Sequence, residues 1–238
     1  MPDPPQLLGL GQRPPQYRAV LVAGDASIQA FDNAIDRLAE GLAARGALVP
    51  GTMRRLSARP PAQRGEGIGL ATPENMLDAI ATLRPAPGQA CLIYATAHGA
   101  PERGLYFPAN PRSIFLSPER LDRALEQGCG TAPALVVLSG CYAGFYLRPP
   151  LIRPNRIILT AARRDRPSFG CGAENTYTEF DECMITAMEG TRGTLNEAFA
   201  TAATCVSGRE RLLGAPPSEP QAWFGAAVTY LALPGQPP

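Results

Sequence analysis

Two short apolar runs decide what this chain can become. Cys91 to Gly99 reads CLIYATAHG and Ala134 to Gly144 reads ALVVLSGCYAG, and glycine or proline flanks each of them. Runs this short and this continuously apolar are expected as strands buried on both faces of a parallel sheet, not as amphipathic helices. The first ends on His98, the only histidine in the chain, and the second on Cys141. In an open α/β sheet, strands pointing the same way release their last residues into one crevice at the carboxyl edge. The pattern therefore brings a base and a nucleophile to one place.

The separation of 43 positions from His98 to Cys141 is enough for a helical crossover between parallel strands. Ser117-Pro118-Glu119 supplies the start of that helix, with a capping hydroxyl, proline at the first helical position and an acid in the first turn, and Leu121, Ala124 and Leu125 continue it to Gly128. Between His98 and that helix, Gly104 to Phe107 and Ser113 to Leu116 read as the arms of a short hairpin.

The same alternation runs through the rest of the chain. Arg18 to Gly24 (RAVLVAG) reads as a first buried strand, and the next helix places Ile28, Phe31, Ile35, Leu38 and Leu42 on one face. Ser27 or Asp25 is available to cap that helix, and Gly46 stops it. A weaker strand is expected within 47–56 and a loop over 57–69. Thr72-Pro73-Glu74 then starts a second helix with Met76, Leu77, Ile80 and Leu83 on its buried side. After Cys141, Arg156 to Ala162 reads as a strand and 167–177 as a loop. Helices over 179–188 and 194–212 and a last strand within 224–233 complete the chain.

Strand and helix in alternation with short links predict an α/β three-layer α/β/α sandwich with a mostly parallel sheet of about six strands. One domain over 18–233 is expected, between a proline-rich segment at 1–17 and a tail at 234–238. The chain's 238 residues suffice for one sizeable core. Its 26 prolines and 24 glycines imply many ordered connections.

Composition narrows the function. A net charge of +1 with no Lys/Arg block gives no footprint for nucleic acid. Nowhere do eighteen apolar residues follow one another, so no transmembrane segment is expected. The start MPDPPQLLGLG lacks a secretory pattern. The localisation stays open, cytoplasmic as read and periplasmic or secreted if a leader has been removed. The six cysteines show neither zinc-ligand spacing nor the pattern of a small disulfide scaffold, and no metal or cofactor is expected. GEGIG at 65–69 lacks the lysine of a phosphate loop.

Cysteine is nucleophilic as thiolate, and a hydrolase pairs it with an acid/base, usually histidine. Gly99 beside the histidine leaves room for substrate backbone, and its N–H together with that of Cys141 would make an oxyanion hole. Taken singly, either residue has a plainer reading, His98 as a hydrogen-bonding surface residue and Cys141 as a small buried apolar one.

Four pieces in order, VLVAGD at 20–25, YATAHG at 94–99 with GLYF at 104–107, LSGCYAG at 138–144 and ILTAARRDRPSFGCG at 158–172, resemble the legumain-like branch of the caspase-like cysteine peptidases. That branch includes asparaginyl endopeptidases, the lipid-anchor transamidase subunit and bacterial relatives. The resemblance implies a caspase-like fold, a peptide or protein substrate, attack by Cys141 and proton transfer by His98 to the leaving amine. Hydrolysis or transfer of the acyl group to an amine would complete the cycle. Legumains orient the histidine with an Asn just after the first strand. The corresponding place here is about Ala26, so that Asp25 either substitutes or only caps the helix.

The resemblance also places Ser139 where legumains carry an acid lining the P1 pocket, and Ser168 and Phe169 on the opposite wall. The family's downstream pocket acid falls near Phe180, with Glu179 and Asp181 flanking it. If either acid turns inward, the pocket suits a basic or amide P1 side chain. Arg163, Arg164, Asp165 and Arg166 are read as a solvated turn or a contact for acidic substrate. Trp223 is read as packing or a cleft contact, and Cys171 as paired with Cys183 or reduced. Oligomeric state is not fixed by the sequence. Two other activities fit the same residues: a non-catalytic caspase-like binding or scaffold domain, and a Cys-His amidase acting on small amides.

Overall fold

The computed structural model describes residues 14–109 and 115–235. Most of the proline-rich segment, the Ser113 end of the expected hairpin and the last residues of the tail lie outside them. The chain runs β1 (Gln16–Ala23), α1 (Ala30–Ala44), β2 (Arg54–Ser57), β3 (Gly69–Leu70), α2 (Pro73–Ala81), β4 (Gln89–Thr96), β5 (Gly99–Ala100) and β6 (Gly104–Leu105). It continues with α3 (Pro118–Cys129), β7 (Ala134–Ser139), β8 (Arg156–Thr160), α4 (Glu179–Gly190), α5 (Leu195–Leu213) and β9 (Gln221–Phe224).

A seven-stranded sheet has the order β3-β2-β1-β4-β7-β8-β9 and is parallel except for β9, which runs antiparallel to β8. Alternation along the strands divides the core in two. Tyr17, Ala19, Leu21, Leu92, Tyr94, Leu135 and Val137 face α1, α4 and α5. Val20, Val22, Ile93, Ala95, Val136 and Leu138 face α2 and α3. Both faces of β1, β4 and β7 are thus covered, which is why the middle of each strand is a continuous apolar run, with polar residues only toward the ends.

The helix starts follow their capping chemistry. The hydroxyls of Thr72, Ser117 and Thr178 accept N–H groups of Asn75, Arg120 and Asp181 at 3.1, 3.4 and 3.1 Å, and Thr194 with Glu197 forms a reciprocal box at the head of α5. α1 is the exception. Its N-cap is Gln29, without a side-chain cap, so neither Asp25 nor Ser27 fills that role.

Several expected elements shift. The strand sought within 47–56 is β2 at Arg54–Ser57, preceded by an isolated bridge from Leu48 to Tyr17. β3 lies where only a loop was expected and raises the sheet to seven strands. β5 pairs with β6, so the hairpin begins directly at His98-Gly99, and β6 is followed by a Tyr106–Phe115 bridge. The last strand is β9, upstream of most of the expected span.

Four cysteines form disulfides, Cys91 with Cys129 and Cys183 with Cys205. The first ties β4 to the end of α3, and the second ties α4 to α5. Cys183 is therefore not the partner of Cys171, which stays a free thiol like Cys141.

Candidate active site

Register brings the reactive residues level. Ala23 of β1 pairs with Thr96 of β4, and Thr96 pairs with Ser139 of β7. The ladder extends one step further, through Gly24 N–H to Thr96 O at 2.8 Å and Ala97 N–H to Ser139 O at 3.0 Å. Two residues beyond each paired position stand Asp25, His98 and Cys141, all at the carboxyl edge and in phase with the α1/α4 face. Neighbouring parallel strands lie about 5 Å apart, so the histidine and the cysteine emerge as neighbours.

Gly99 carries the closest approach. A Cβ at this position would lie 2.0 Å from the Cys141 carbonyl oxygen and 3.1 Å from its nitrogen. Only a hydrogen side chain lets the two segments meet. Tyr106 N–H donates to His98 O at 2.8 Å, which makes the adjacent Gly99–Leu105 couple a non-hydrogen-bonded pair. Leu105 N–H turns instead to the Tyr146 hydroxyl at 2.9 Å. Gly99 N–H accordingly faces away from β6. Cys141 N–H likewise has no acceptor among the described residues.

The residue after Cys141 holds an unusual conformation. Tyr142 has φ of +60° and ψ of 15°, a left-handed geometry uncommon for a bulky side chain, and its N–H is fixed on Arg166 O at 2.8 Å. This bend throws the chain off the end of β7 and leaves Cys141 half-exposed at the turn. The sulfur is met by the loop after β8: Ser168 N–H donates to Sγ at 3.3 Å, its hydroxyl lies at 3.7 Å and its carbonyl oxygen at 3.5 Å. Phe169 anchors the same loop by accepting Glu179 N–H through its carbonyl at 3.1 Å.

Below this edge lies Asp181, fully buried. Its carboxylate accepts the hydroxyls of Tyr94, Thr96 and Thr178 at 2.8, 2.6 and 2.8 Å, and Ser139 also bonds to it. Thr96 and Ser139 are each two residues before the reactive side chains, hence on the same sheet face. Burial pushes the Asp181 carboxyl above the ordinary range, although these hydrogen bonds pull it back. Cys171, partly buried, is the second free thiol. Burial, with Cys141, Asp181 and Asp25 as its charged neighbours, pushes its thiol up to about 12.

Asp25 shares this edge without bonding His98, and the other expected site residues are placed elsewhere. The Asp25 carboxylate is buried but accepts Ser27 N–H at 2.8 Å, and it makes no hydrogen bond to His98 among the described residues. Glu179 turns outward to Arg209 of α5 at 3.1 Å. Trp223 pairs with Ile158 on the edge strand β9, packs on the α2/α3 side, and donates its indole N–H to Arg153 O at 3.1 Å, just before the start of β8. The charged turn is spent on internal pairs, Arg163 with Asp165 and Glu219, Arg164 with Glu102 and Arg166 with Glu219.

Sequence reasoning missed two features. One is the hydroxyl cage around Asp181, whose only local sign was the Thr178-x-x-Asp181 capping pattern. The other is Phe31 of α1, read only as core. Its ring stands perpendicular to the His98 imidazole, centroids 5.2 Å apart and planes at 89°.

The profile of the Peptidase C13 family matches residues 78–229, a span that includes β4, β7, β8 and the loop contacting Cys141. Among solved structures, the crystal structure of caspase-1 from Spodoptera frugiperda is similar in fold, with a TM-score of 0.62 over 88% of this chain and 86% of that one at 11% identity. No curated protein sequence matches the chain.

Proposed function

Because the chain belongs to the Peptidase C13 family, the legumain family, and is a cysteine peptidase of caspase-like fold, we propose that Cys141 and His98 are its catalytic pair. The observation that carries this reading is the common rung at the carboxyl edge, with Gly99 closed against Cys141. The Cys141 thiolate attacks the scissile carbonyl, and the developing oxyanion takes hydrogen bonds from the N–H groups of Gly99 and Cys141. His98 passes a proton to the leaving amine, which departs and leaves a thioester on Cys141. Water then gives its proton to His98 and releases the acid. An amine in place of water would make the same step a transpeptidation.

The P1 pocket is assigned to the space bounded by Ser139, Ser168, Phe169 and Asp25, with Asp181 behind Ser139. Asp181 is the acid that turns inward, whereas Glu179 is engaged by Arg209. A P1 side chain with a hydrogen-bond-donating head, an amide or a cation, suits a wall of hydroxyls backed by a carboxyl.

Profiling against peptides bearing every P1 residue tests both statements. Cleavage after Asn, Gln, Lys or Arg by the wild type, and none by Cys141→Ala, is expected. Activity that survives Cys141→Ala refutes the catalytic pair. Better cleavage after Leu or Phe refutes the pocket assignment alone.

A further inference from the structure

We propose that Phe31 is a positioning residue for His98, holding the imidazole by a perpendicular aromatic contact in a site where no hydrogen bond holds it. The inference rests on the reading of His98 as the proton-transfer group. Its observations are separate from that reading, and Phe31 lies outside the residues matched by the family profile.

The imidazole makes no side-chain hydrogen bond among the described residues, and the nearby carboxylate of Asp25 is turned back on Ser27 N–H. A ring without such a bond can turn about its last torsion, which has broad, roughly two-fold minima. A turned ring presents carbon where the leaving amine needs nitrogen. Phe31 meets this ring edge to face, at 5.2 Å and 89°, the arrangement that aromatic quadrupoles favour. Phe31 is itself immobile: it is 1% exposed and packed in the core that contains Ile35 and Leu38 of the same helix. The contact thus transmits the rigidity of α1 to a side chain at the sheet edge.

The test uses the whole chain with Phe31→Leu, Phe31→Tyr and Ile35→Ala. Since His98 is the only histidine, its two carbon-bound ring protons are identified in a proton NMR spectrum without assignment. In wild type they are displaced by the Phe31 ring current. In Phe31→Leu they move toward the positions of an unfolded peptide, and in Phe31→Tyr they stay near wild type. Peptide cleavage by Phe31→Leu is expected to lose about 3- to 10-fold in kcat with little change in KM. Phe31→Tyr recovers most of that loss. Ile35→Ala trims the same core without touching His98, so it lowers the melting temperature and leaves kcat unchanged.

Unmoved histidine resonances in Phe31→Leu, full kcat in that variant, or an equal kcat loss in Ile35→Ala would overturn the positioning role alone. A wild type that cleaves no peptide, or a His98→Ala protein at full rate, overturns the acid/base reading and the positioning role with it.

Discussion

Replacing Gly99 with alanine adds one methyl group at the closest contact in the site. That methyl carbon would sit 2.0 Å from the Cys141 carbonyl oxygen, 3.0 Å from the carbonyl carbon and 3.1 Å from the nitrogen. Ordinary contact between such atoms begins at about 3.5 Å, so the two segments must separate by more than 1 Å. Both partners are backbone, and neither can rotate away. The Gly99 N–H then leaves the place proposed for it as an oxyanion donor. Loss of one such donor costs about 100- to 1,000-fold in kcat, on the order of 3–4 kcal/mol of transition-state stabilisation. The assay compares two reactions of one thiol. Peptide hydrolysis needs the oxyanion hole, whereas alkylation by iodoacetamide passes through no tetrahedral oxyanion. Gly99→Ala is expected to lose at least 100-fold in kcat/KM for peptide while its alkylation rate changes by less than about tenfold. A protein that hydrolyses peptide within threefold of wild type would refute the assignment of this N–H. Parallel loss of both reactions would instead mean that the nucleophile has been displaced.

Other consequences follow from the second free thiol, the buried carboxyl and a disulfide. Cys171, with a thiol pushed up to about 12, carries on the order of one part in ten thousand as thiolate at pH 8; mass mapping after iodoacetamide is expected to find Cys141 modified and Cys171 intact, and equal labelling would contradict that placement. Asp181 has a folded-state pKa raised by burial, so between the ordinary carboxylate value and the raised one the folded chain holds a proton that the unfolded chain has released. Stability owed to the protonated group is full at acid pH and is lost across that window as pH rises. The melting temperature of wild type relative to Asp181→Asn should therefore fall as pH is raised from about 3, and a flat difference would show that burial does not perturb the group. Removing the Cys91–Cys129 disulfide, which closes a 38-residue separation, is expected to cost about 4 kcal/mol in chemical denaturation, by the loop-entropy relation.

Much of this site was legible because its strands are buried on both faces. CLIYAT and ALVVLS have no polar side to confuse a reading, and the glycines after them mark where the chain must turn. The starts at Thr72-Pro73 and Ser117-Pro118 were equally plain, since capping is a local contact. What failed to show in the sequence was non-local. Phe31 is an ordinary core position until α1 is laid beside β4. Cys91 and Cys129 meet only because α3 returns the chain to the start of β7. Asp181 and Glu179 are two residues apart on one helix, and the side of α4 that faces the sheet decides which is buried. β9 was misplaced because a four-residue edge strand pairs along one side only and so needs no long apolar run.

The central position of β4 reaches beyond the reaction itself, to the order in which a newly made chain acquires it. β4 is bonded to β1 on one side and β7 on the other, and each pairing is parallel, so each waits for a long connection to close. His98 is held opposite Cys141 only after the second closure, when more than half the chain has been committed. Intermediates of such a sheet expose strand edges and unpaired thiols, but in them the pair proposed as catalytic is not yet assembled. If Cys141 and His98 act as proposed above, peptide-bond cleavage begins only after β7 has docked on β4.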